Sequence, residues 1–458
     1  MNAAGAVRVR FTGMAVDRDS VDAREVVLRC ALAAKLRRDG SLRTRAVERA
    51  FRQVPRHLFV PEVDPDLAYR DVVLPTKLQA GEFVSASSQP SIMAVMLEQL
   101  ALRRGHRVLE IGGGTGYNAA LLAEIVGPRG QVTAVDIDDD LVTMAREHLL
   151  AAGYSRVVVV QGDGVLGRAE SAPYDRIMAT VAVGDIPRPW RQQLKAGGRL
   201  VLPLAIRGAM KSVAFRSSTR GELRSTSIRP AVFMPLRGAS PLPIRDVRVG
   251  PDLGLFAWFP PDRAADTDRL WTILQRPSHD TPTGLVLSVA EFDAGLALWL
   301  RAHEPAVFTL RAEGALSETA PVPIFTRSPW APPWVRERFT FGLFDENGVA
   351  VLAQTQGERP AEHGQAVELL VCHYGAHAEI AERLAACVQA WETAGRPSDD
   401  LLRIRVPADG TGDRLARHEA LVPTPSARLV LTWAAGDAKH GPTPKDSNAP
   451  TPTIPAPA

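Results

Sequence analysis

The run Val108-Leu109-Glu110-Ile111-Gly112-Gly113-Gly114-Thr115-Gly116-Tyr117 constrains this chain more than any other stretch. A short apolar strand ends in a glycine cluster and passes directly into a helical pattern, so backbone N–H groups can approach a ligand closely. The flanking sequence fits that reading. Between 91 and 210, helical apolar patterns alternate with strand-like runs at 107–111, 131–137, 156–161, 174–180 and 199–204. Such alternation predicts a doubly wound, Rossmann-like α/β sheet with its ligand edge at the C-terminal ends of the strands.

A glycine turn alone serves dinucleotides as readily as other adenosine ligands. Asp136 ends the run VTAVD, 24 positions after Gly112, where a carboxylate can accept hydrogen bonds from both ribose hydroxyls. Gly162-Asp163-Gly164 ends the next strand, where Asp163 can receive an adenine amino group, and Glu110 can hold an ammonium directly or through water. The spelling G-G-G-T-G lacks the spacing of a pyrophosphate cradle, which favours S-adenosylmethionine over a nicotinamide dinucleotide. Candidate cofactor residues are thus Glu110, Gly112, Gly113, Gly114, Gly116, Asp136, Ile137, Asp163 and Gly164. Any one acid alone reads as a loop residue or helix cap; three on successive strand ends read as a site.

Length and charge bound the rest. With 458 residues, 45% of them hydrophobic, two or three domains are expected. The 54 basic and 51 acidic residues are too evenly balanced to point to nucleic acid. One segment, 35–56, is crowded with Arg37, Arg38, Arg43, Arg45, Arg49 and Arg52, a solvated helix face or a guide for an acidic peptide. Cys30, Cys372 and Cys387 have no metal-ligand spacing, so neither a disulfide nor zinc is expected. The first residues lack an apolar signal region and no run reaches the roughly 18 apolar residues of a membrane span, so the expected location is cytoplasmic, with no membrane partner.

Residues 1–19 read as a flexible N-terminus, and 20–53 as two helices broken at 39–41. Strand-like 231–236 leads to a hinge at Gly238, Pro241 and Pro243, and a domain boundary is placed at 240–245. Beyond it, short runs at 285–289, 306–310, 339–344, 349–352 and 367–371, a helix over 377–394 and strands at 401–406 and 428–433 predict a C-terminal α+β domain over 245–435. The Pro/Thr/Ala-rich tail, 436–458, is expected to be disordered.

Ahead of the glycine turn stand Val54-Pro55-Arg56-His57-Leu58-Phe59-Val60-Pro61, then Ala68-Tyr69-Arg70-Asp71 and Ser88-Gln89-Pro90. With VLEIGGGTGY, GDG, Ala172-Pro173-Tyr174-Asp175, the run at 193–201 and Phe233-Met234-Pro235-Leu236, the chain resembles the protein-L-isoaspartate O-methyltransferase family over about 20–240. The resemblance implies methyl transfer from S-adenosylmethionine to the carboxylate of an altered aspartate. It places Ser88 beside the sulfonium and the acceptor, with Ser87 as a second catalytic candidate, Ser88 and Gln89 also at the cofactor, and Tyr69, Asp71 and Ser87 on the substrate side. An ionised carboxylate needs no general base, so the lack of an obvious catalytic histidine fits. Read without the family, Ser88 is a helix cap and His57 a structural residue.

Two departures bear on substrate choice. Ala86-Ser87 replaces the family's Thr-Ile, and 76–84 lacks its usual glycines. These changes and the long extension resemble an actinobacterial subgroup associated with lanthipeptide biosynthesis of the FxLD type. For that subgroup the implied partner is a modified ribosomal precursor peptide whose ordinary aspartate becomes an ester, then a succinimide, then isoaspartate. Its C-terminal domain would recognise the peptide, with Phe256, Trp258, Phe259, Trp271, Trp299, Trp330 and Trp334 as core or contact residues. Isoaspartate repair is the alternative, and a protein that binds S-adenosylmethionine or peptide without turnover is a further one.

Overall fold

The computed structural model describes residues 18–79, 82–239, 246–251, 254–260, 266–314, 326–327, 337–346, 348–354, 366–375, 378–408 and 419–434. Residues 1–17 of the expected flexible N-terminus and the tail 436–458 lie outside them, whereas Arg18 and Asp19 already belong to a helix. Helices α1 (Arg18–Arg38) and α2 (Arg45–Gln53) come first. The break falls where Asp39-Gly40 stands, but the cap is Thr44, whose side chain accepts from Val47 N. The basic segment is laced with ion pairs: Lys35 meets Asp39 and Asp71, Arg37 and Arg52 meet Glu48, and Arg49 meets Glu124.

After α3 (Pro65–Ala68), strands β1 (Leu74–Gln79) and β2 (Glu82–Ser87) form a separate antiparallel hairpin. Ser88 and Gln89 join it to α4 (Pro90–Leu100), whose proline at the first turn gives up an N–H no helix would use. Then β3 (Arg107–Ile111), α5 (Tyr117–Val126), β4 (Gln131–Asp136), α6 (Asp139–Ala151), β5 (Val158–Gln161), β6 (Tyr174–Ala179), α7 (Arg188–Gln193) and β7 (Leu194–Ile206) alternate as expected. Strands β5-β4-β3-β6-β7 are parallel, so the order reverses at β3 and opens a crevice at its C-terminal end.

Antiparallel β8 (Ala209–Ser217) and β9 (Leu223–Pro230) extend this sheet. The strand expected at 231–236 is instead a strap looped around Ala182, with Ala182 N donating to Met234 O and Leu236 N to Ala182 O. Pro230 and Pro235 lack the amide donors that a ladder needs.

Beyond the strap come β10 (Asp246–Arg248), β11 (Leu255–Trp258), α8 (Thr267–Leu274), β12 (Ser278–Ser288), α9 (Val289–Glu291), α10 (Ala297–His303), β13 (Phe308–Glu313), β14 (Thr326–Arg327), β15 (Glu337–Phe344), β16 (Gly348–Gln354), β17 (Ala366–Gly375) and α11 (Glu379–Thr393). They build a second, antiparallel sheet ordered β10-β11-β13-β15-β16-β17-β12. The last strands, β18 (Leu402–Val406), β19 (Glu419–Pro423) and β20 (Arg428–Trp433), return to the first sheet, with β18 beside β9. The segment expected as a separate α+β unit therefore shares a sheet with the first. An open β9 edge is covered in the process.

Side-chain alternation sorts the layers. Val108, Val132, Met178 and Val201 face α1, α2, α4, α5 and α6. Leu109, Ile111, Ile177, Leu200 and Phe215 face the other way, in one continuous core with Leu300 of α10, Leu384 of α11, and Leu287, Phe341 and Leu352 of the second sheet. Helix α8 closes that sheet's far side through Leu270 and Ile273. Trp258, Phe259 and Trp299 are buried, whereas Trp330 and Trp334 lie outside the described residues. The three cysteines are free, and among the described residues no helix is long and apolar enough to cross a membrane.

Between the sheets sits a charged cluster. Lys211 of β8 pairs with Asp399, while Arg301 of α10 and Asp293, in the π-helical turn Phe292–Leu296, lie in the same field. Burial, aided by Asp399 and opposed by Lys211 and Arg301, pushes the Asp293 carboxyl up to about 7. The unfolded chain releases this proton near pH 4. Between about pH 4 and 7 the unfolded state therefore binds fewer protons than the folded one, and Asp293 lowers stability progressively as pH rises through that window. Asp293→Asn is expected to be more stable than the wild type at pH 8, by roughly 2–4 kcal/mol, with the difference vanishing below pH 4. Urea unfolding midpoints of both proteins across pH 4–8 measure it; a difference independent of pH would refute the assignment.

Candidate active site

At the crevice beyond β3, β4 and β6 lies an open cleft, where ligands bind open α/β sheets. Its floor is the glycine turn. Gly112 has φ +88°, and a Cβ there would fall 2.9 Å from Val181 Cγ1 and 3.1 Å from Thr180 Oγ1. Gly164, which also lines the cleft, would drive a Cβ to 2.6 Å from Ile111 Cγ2. These positions accept no larger side chain without movement, so the loops at the strand ends pack directly against Thr180, Val181 and Ile111.

Glu110 is fully buried at the end of β3 and lines the cleft. Asn118 Nδ2 donates to its Oε1 at 2.8 Å, and among the described residues Oε2 has no partner. Burial is the main cause that pushes its carboxyl up to about 8, against the lowering effect of Asn118 and with the Asp136 charge adding to the rise. An acid so placed gains a great deal from a cation arriving at its free oxygen. Asp136 accepts from Gly114 N at 2.8 Å through Oδ2 and from Asp138 N at 3.2 Å through Oδ1. Each oxygen keeps a second lone pair for a ligand. Burial raises its pKa as well.

Of the residues singled out from sequence, Glu110, Gly112, Gly113, Gly114, Asp136, Ile137, Gly164, Ser87 and Ser88 line this one cleft. Gly116, Asp163, Gln89, Tyr69 and Asp71 are not among its lining residues. Gly116 starts α5 with φ +86°, where a Cβ would meet Leu149 Cγ at 3.2 Å and Ala145 O at 3.3 Å, so it spaces α5 from α6. Asp163 accepts from Val165 N and Ala239 N at 2.9 and 2.8 Å, pinning the end of the 233–239 strap. Gln89 Nε2 donates to Asp71 O. Asp71 itself takes Ser91 N at 2.8 Å, at the first turn of α4, and an ion pair from Lys35. Tyr69 OH is 2.8 Å from His57 Nδ1. These groups hold the walls in place.

Sequence reasoning passed over Asn118, Thr180 and Arg237. Thr180 follows β6, and the strand-end rule that singled out Asp136 reaches it too; its Oγ1 donates to Gly112 O at 2.6 Å. Arg237 lines the cleft and grips Asp138 through both terminal nitrogens, at 3.2 and 2.7 Å, while Lys77 of the hairpin reaches the same carboxylate at 2.9 Å. The strap and hairpin are thereby stitched to the β4–α6 loop. Among the described residues no cluster of His, Cys, Asp and Glu is suited to a metal ion.

A glycine-floored cleft at the reversal point of a doubly wound sheet, with one acid offering a free oxygen and another with spare acceptors, suits a cationic adenosine ligand and defines the class as that of the S-adenosylmethionine-dependent methyltransferases. Comparison with known proteins narrows the class. The family described as Protein-L-isoaspartate(D-aspartate) O-methyltransferase matches residues 29–240. Protein-L-isoaspartate O-methyltransferase 1 of Archaeoglobus fulgidus is 44% identical over 207 residues, 45% of this chain and 92% of the relative. The Hyperthermus butylicus enzyme of that name is 40% identical over 215 residues, 45% of this chain and 87% of its own length. A solved structure of a protein-L-isoaspartate O-methyltransferase aligns with 82% of this chain and 96% of its own at 25% identity and a TM-score of 0.46. This chain belongs to the protein-L-isoaspartate O-methyltransferase family, and S-adenosylmethionine is its methyl donor.

The residues fit that cofactor: the orphaned Glu110 oxygen suits its cationic end and the Cβ-free turn gives it room. Because the Glu110 carboxyl titrates at about 8 in the free protein and a cationic ligand favours its ionised form, binding should release a proton below that pH. Affinity for S-adenosylmethionine is expected to rise with pH up to about 8 and then level off. Glu110→Gln should remove that slope and weaken binding by about tenfold or more. Calorimetry in buffers of different ionisation enthalpy measures the released proton; equal apparent enthalpies in all buffers at pH 7 would count against it.

Proposed function

We propose that this protein methylates the free carboxylate of an L-isoaspartyl residue in a protein or peptide, the step that starts its return to aspartate. The observation that carries this reading is that one cleft joins the buried Glu110 and the glycine turn to the Ser87–Ser88 corner. S-adenosylmethionine supplies an electrophilic methyl group and leaves as a neutral thioether. On the protein's side, Glu110 holds the cofactor's cationic end, Asp136 offers acceptors to a hydroxylated ring, and Ser87 and Ser88 orient the acceptor carboxylate.

No residue has to remove a proton, because a carboxylate with a reference pKa near 4 is already ionised at neutral pH. Its oxygen forms the new bond to carbon as the carbon–sulfur pair returns to sulfur, and opposite charges cancel. Positioning and exclusion of water are what remain for the protein to supply. Met93, Met96 and Phe233 give the cleft the apolar lining for that. The ester is then a leaving group for the next residue's amide nitrogen: methanol departs, a succinimide closes, and water opens it.

A second reading has an ordinary aspartate in a ring-constrained precursor peptide as acceptor. It is favoured by the Ala86-Ser87 spelling and by the added β-rich region, whose core is continuous with that of the catalytic sheet. On this reading the region over 245–435 selects the peptide.

Mass spectrometry of three peptides incubated with the protein and S-adenosylmethionine separates the readings: a linear isoaspartyl peptide, its aspartyl twin, and a cyclised aspartyl peptide. A methyl gain on the isoaspartyl peptide alone is the expected result; a methyl gain or loss of water on the cyclised peptide alone would replace repair with tailoring. Ser88→Ala is expected to lower kcat/KM by about tenfold or more, the size of a lost hydrogen bond to a charged group.

A further inference from the structure

Arg56, next to the cleft, has no exposed surface at all. It opens the short helical turn Arg56–Phe59, and its Nη2 donates to Ser88 O at 3.1 Å, Val72 O at 3.3 Å and Ser87 Oγ at 3.4 Å. Its Cζ sits 5.4 Å from the centre of the Tyr117 ring. Ser87, Ser88 and Tyr117 all line the cleft, so the guanidinium stands directly behind its wall. Among the described residues, Nε and Nη1 have no hydrogen-bond partner and no carboxylate lies at ion-pair distance. Asp71, the one acid whose charge acts on it, is committed to Lys35 and to Ser91 N.

A buried cation without a counter-ion is costly, and two carbonyl contacts do not offset its desolvation. A carboxylate entering the cleft would supply the missing negative charge. The bonding also sets direction: a guanidinium only donates, so Ser87 Oγ is the acceptor and keeps its own proton for the cleft.

We propose that Arg56 is the positioning residue of the methyl acceptor, fixing the Ser87–Ser88 corner and presenting a positive field that draws in an anionic side chain. This rests on the carboxylate-methylation reading above. The attraction holds only before transfer, since the methyl ester is neutral, so the same charge that recruits the acceptor releases the product. It also opposes the cationic cofactor relative to its neutral thioether product.

The test uses the full-length protein with Arg56→Lys, Arg56→Met, Ser87→Ala and the double variant Arg56→Lys/Ser87→Ala. Lysine keeps the charge but loses the fork. In Arg56→Lys and in Ser87→Ala, KM for a linear isoaspartyl peptide should rise about tenfold, more than kcat falls, and the double variant should be little worse than either single one. In Arg56→Met, calorimetry should show the affinity ratio of S-adenosylmethionine to S-adenosylhomocysteine shifting toward the former by about threefold or more. Should Arg56→Met not fold, the lysine and serine variants decide alone. An unchanged peptide KM, or additive losses in the double variant, would overturn the proposal while wild-type turnover still upholds isoaspartyl methylation. Failure of the wild type to methylate the peptide would overturn both.

Discussion

The steric demand of the turn after β3 governs this molecule. Gly112 sits at a positive φ with Val181 and Thr180 so close that a methyl group has no place, and Gly164 meets Ile111 under the same constraint. Because these glycines let their loops pack that closely, the strand ends come together at the point where the sheet reverses order, and the cleft lies beside them. Glu110 is the price of the location. As the last polar residue of a buried parallel strand, it has no water around it, and Asn118 satisfies only one of its oxygens. What destabilises the empty acid is what makes it an effective holder of a cation.

The added region is not an appendage on a tether. Strands β18 to β20 continue the catalytic sheet past β9, and the core under β3, β6 and β7 runs without a break into α10, α11 and the second sheet. A burial that continuous couples the stability of the two parts. The cluster of Lys211, Asp399, Asp293 and Arg301 lies on that seam, with charges contributed by β8, the segment before β18, the π-helical turn and α10. Ionic groups between sheets do less for stability than apolar packing of the same volume, so this seam is the place where pH acts on the whole chain.

Much of the first sheet was legible because its central strands are buried and read as mainly apolar runs, as Leu200-Val201-Leu202 does. Strands β8 and β9 escaped because Lys211, Arg216, Arg224 and Arg229 interrupt their apolar positions. The return of 402–433 to the first sheet was out of reach for a different reason: strand character is local, whereas pairing with β9 is decided by which edge remains open. At the site, Glu110, Asp136, Ser87 and Ser88 all line one cleft, the first two singled out by strand-end spacing and the last two by the family resemblance of the sequence. It did not say where neighbouring side chains point. Asp163, Gln89, Asp71 and Tyr69 spend their polar atoms on backbone amides and carbonyls, Lys35 and His57, and Asn118 was invisible because its importance depends on Glu110 having one oxygen to spare.

The charges around the cleft have an order. Glu110 and Asp136 give negative character to the floor, and Arg56 stands behind the opposite corner without a counter-ion. A cationic cofactor belongs near the first and a carboxylate near the second, so the field across the cleft sorts the two reactants. Of the charges held, the acceptor's carboxylate disappears in the reaction, whereas an ammonium at Glu110 stays on the thioether product. After transfer the methyl ester is neutral and the guanidinium is again without a counter-ion, the arrangement in which the methylated peptide binds weakest and a new carboxylate binds best. Neither pole needs to take part in bond making for this to work; each needs only to remain buried and short of partners.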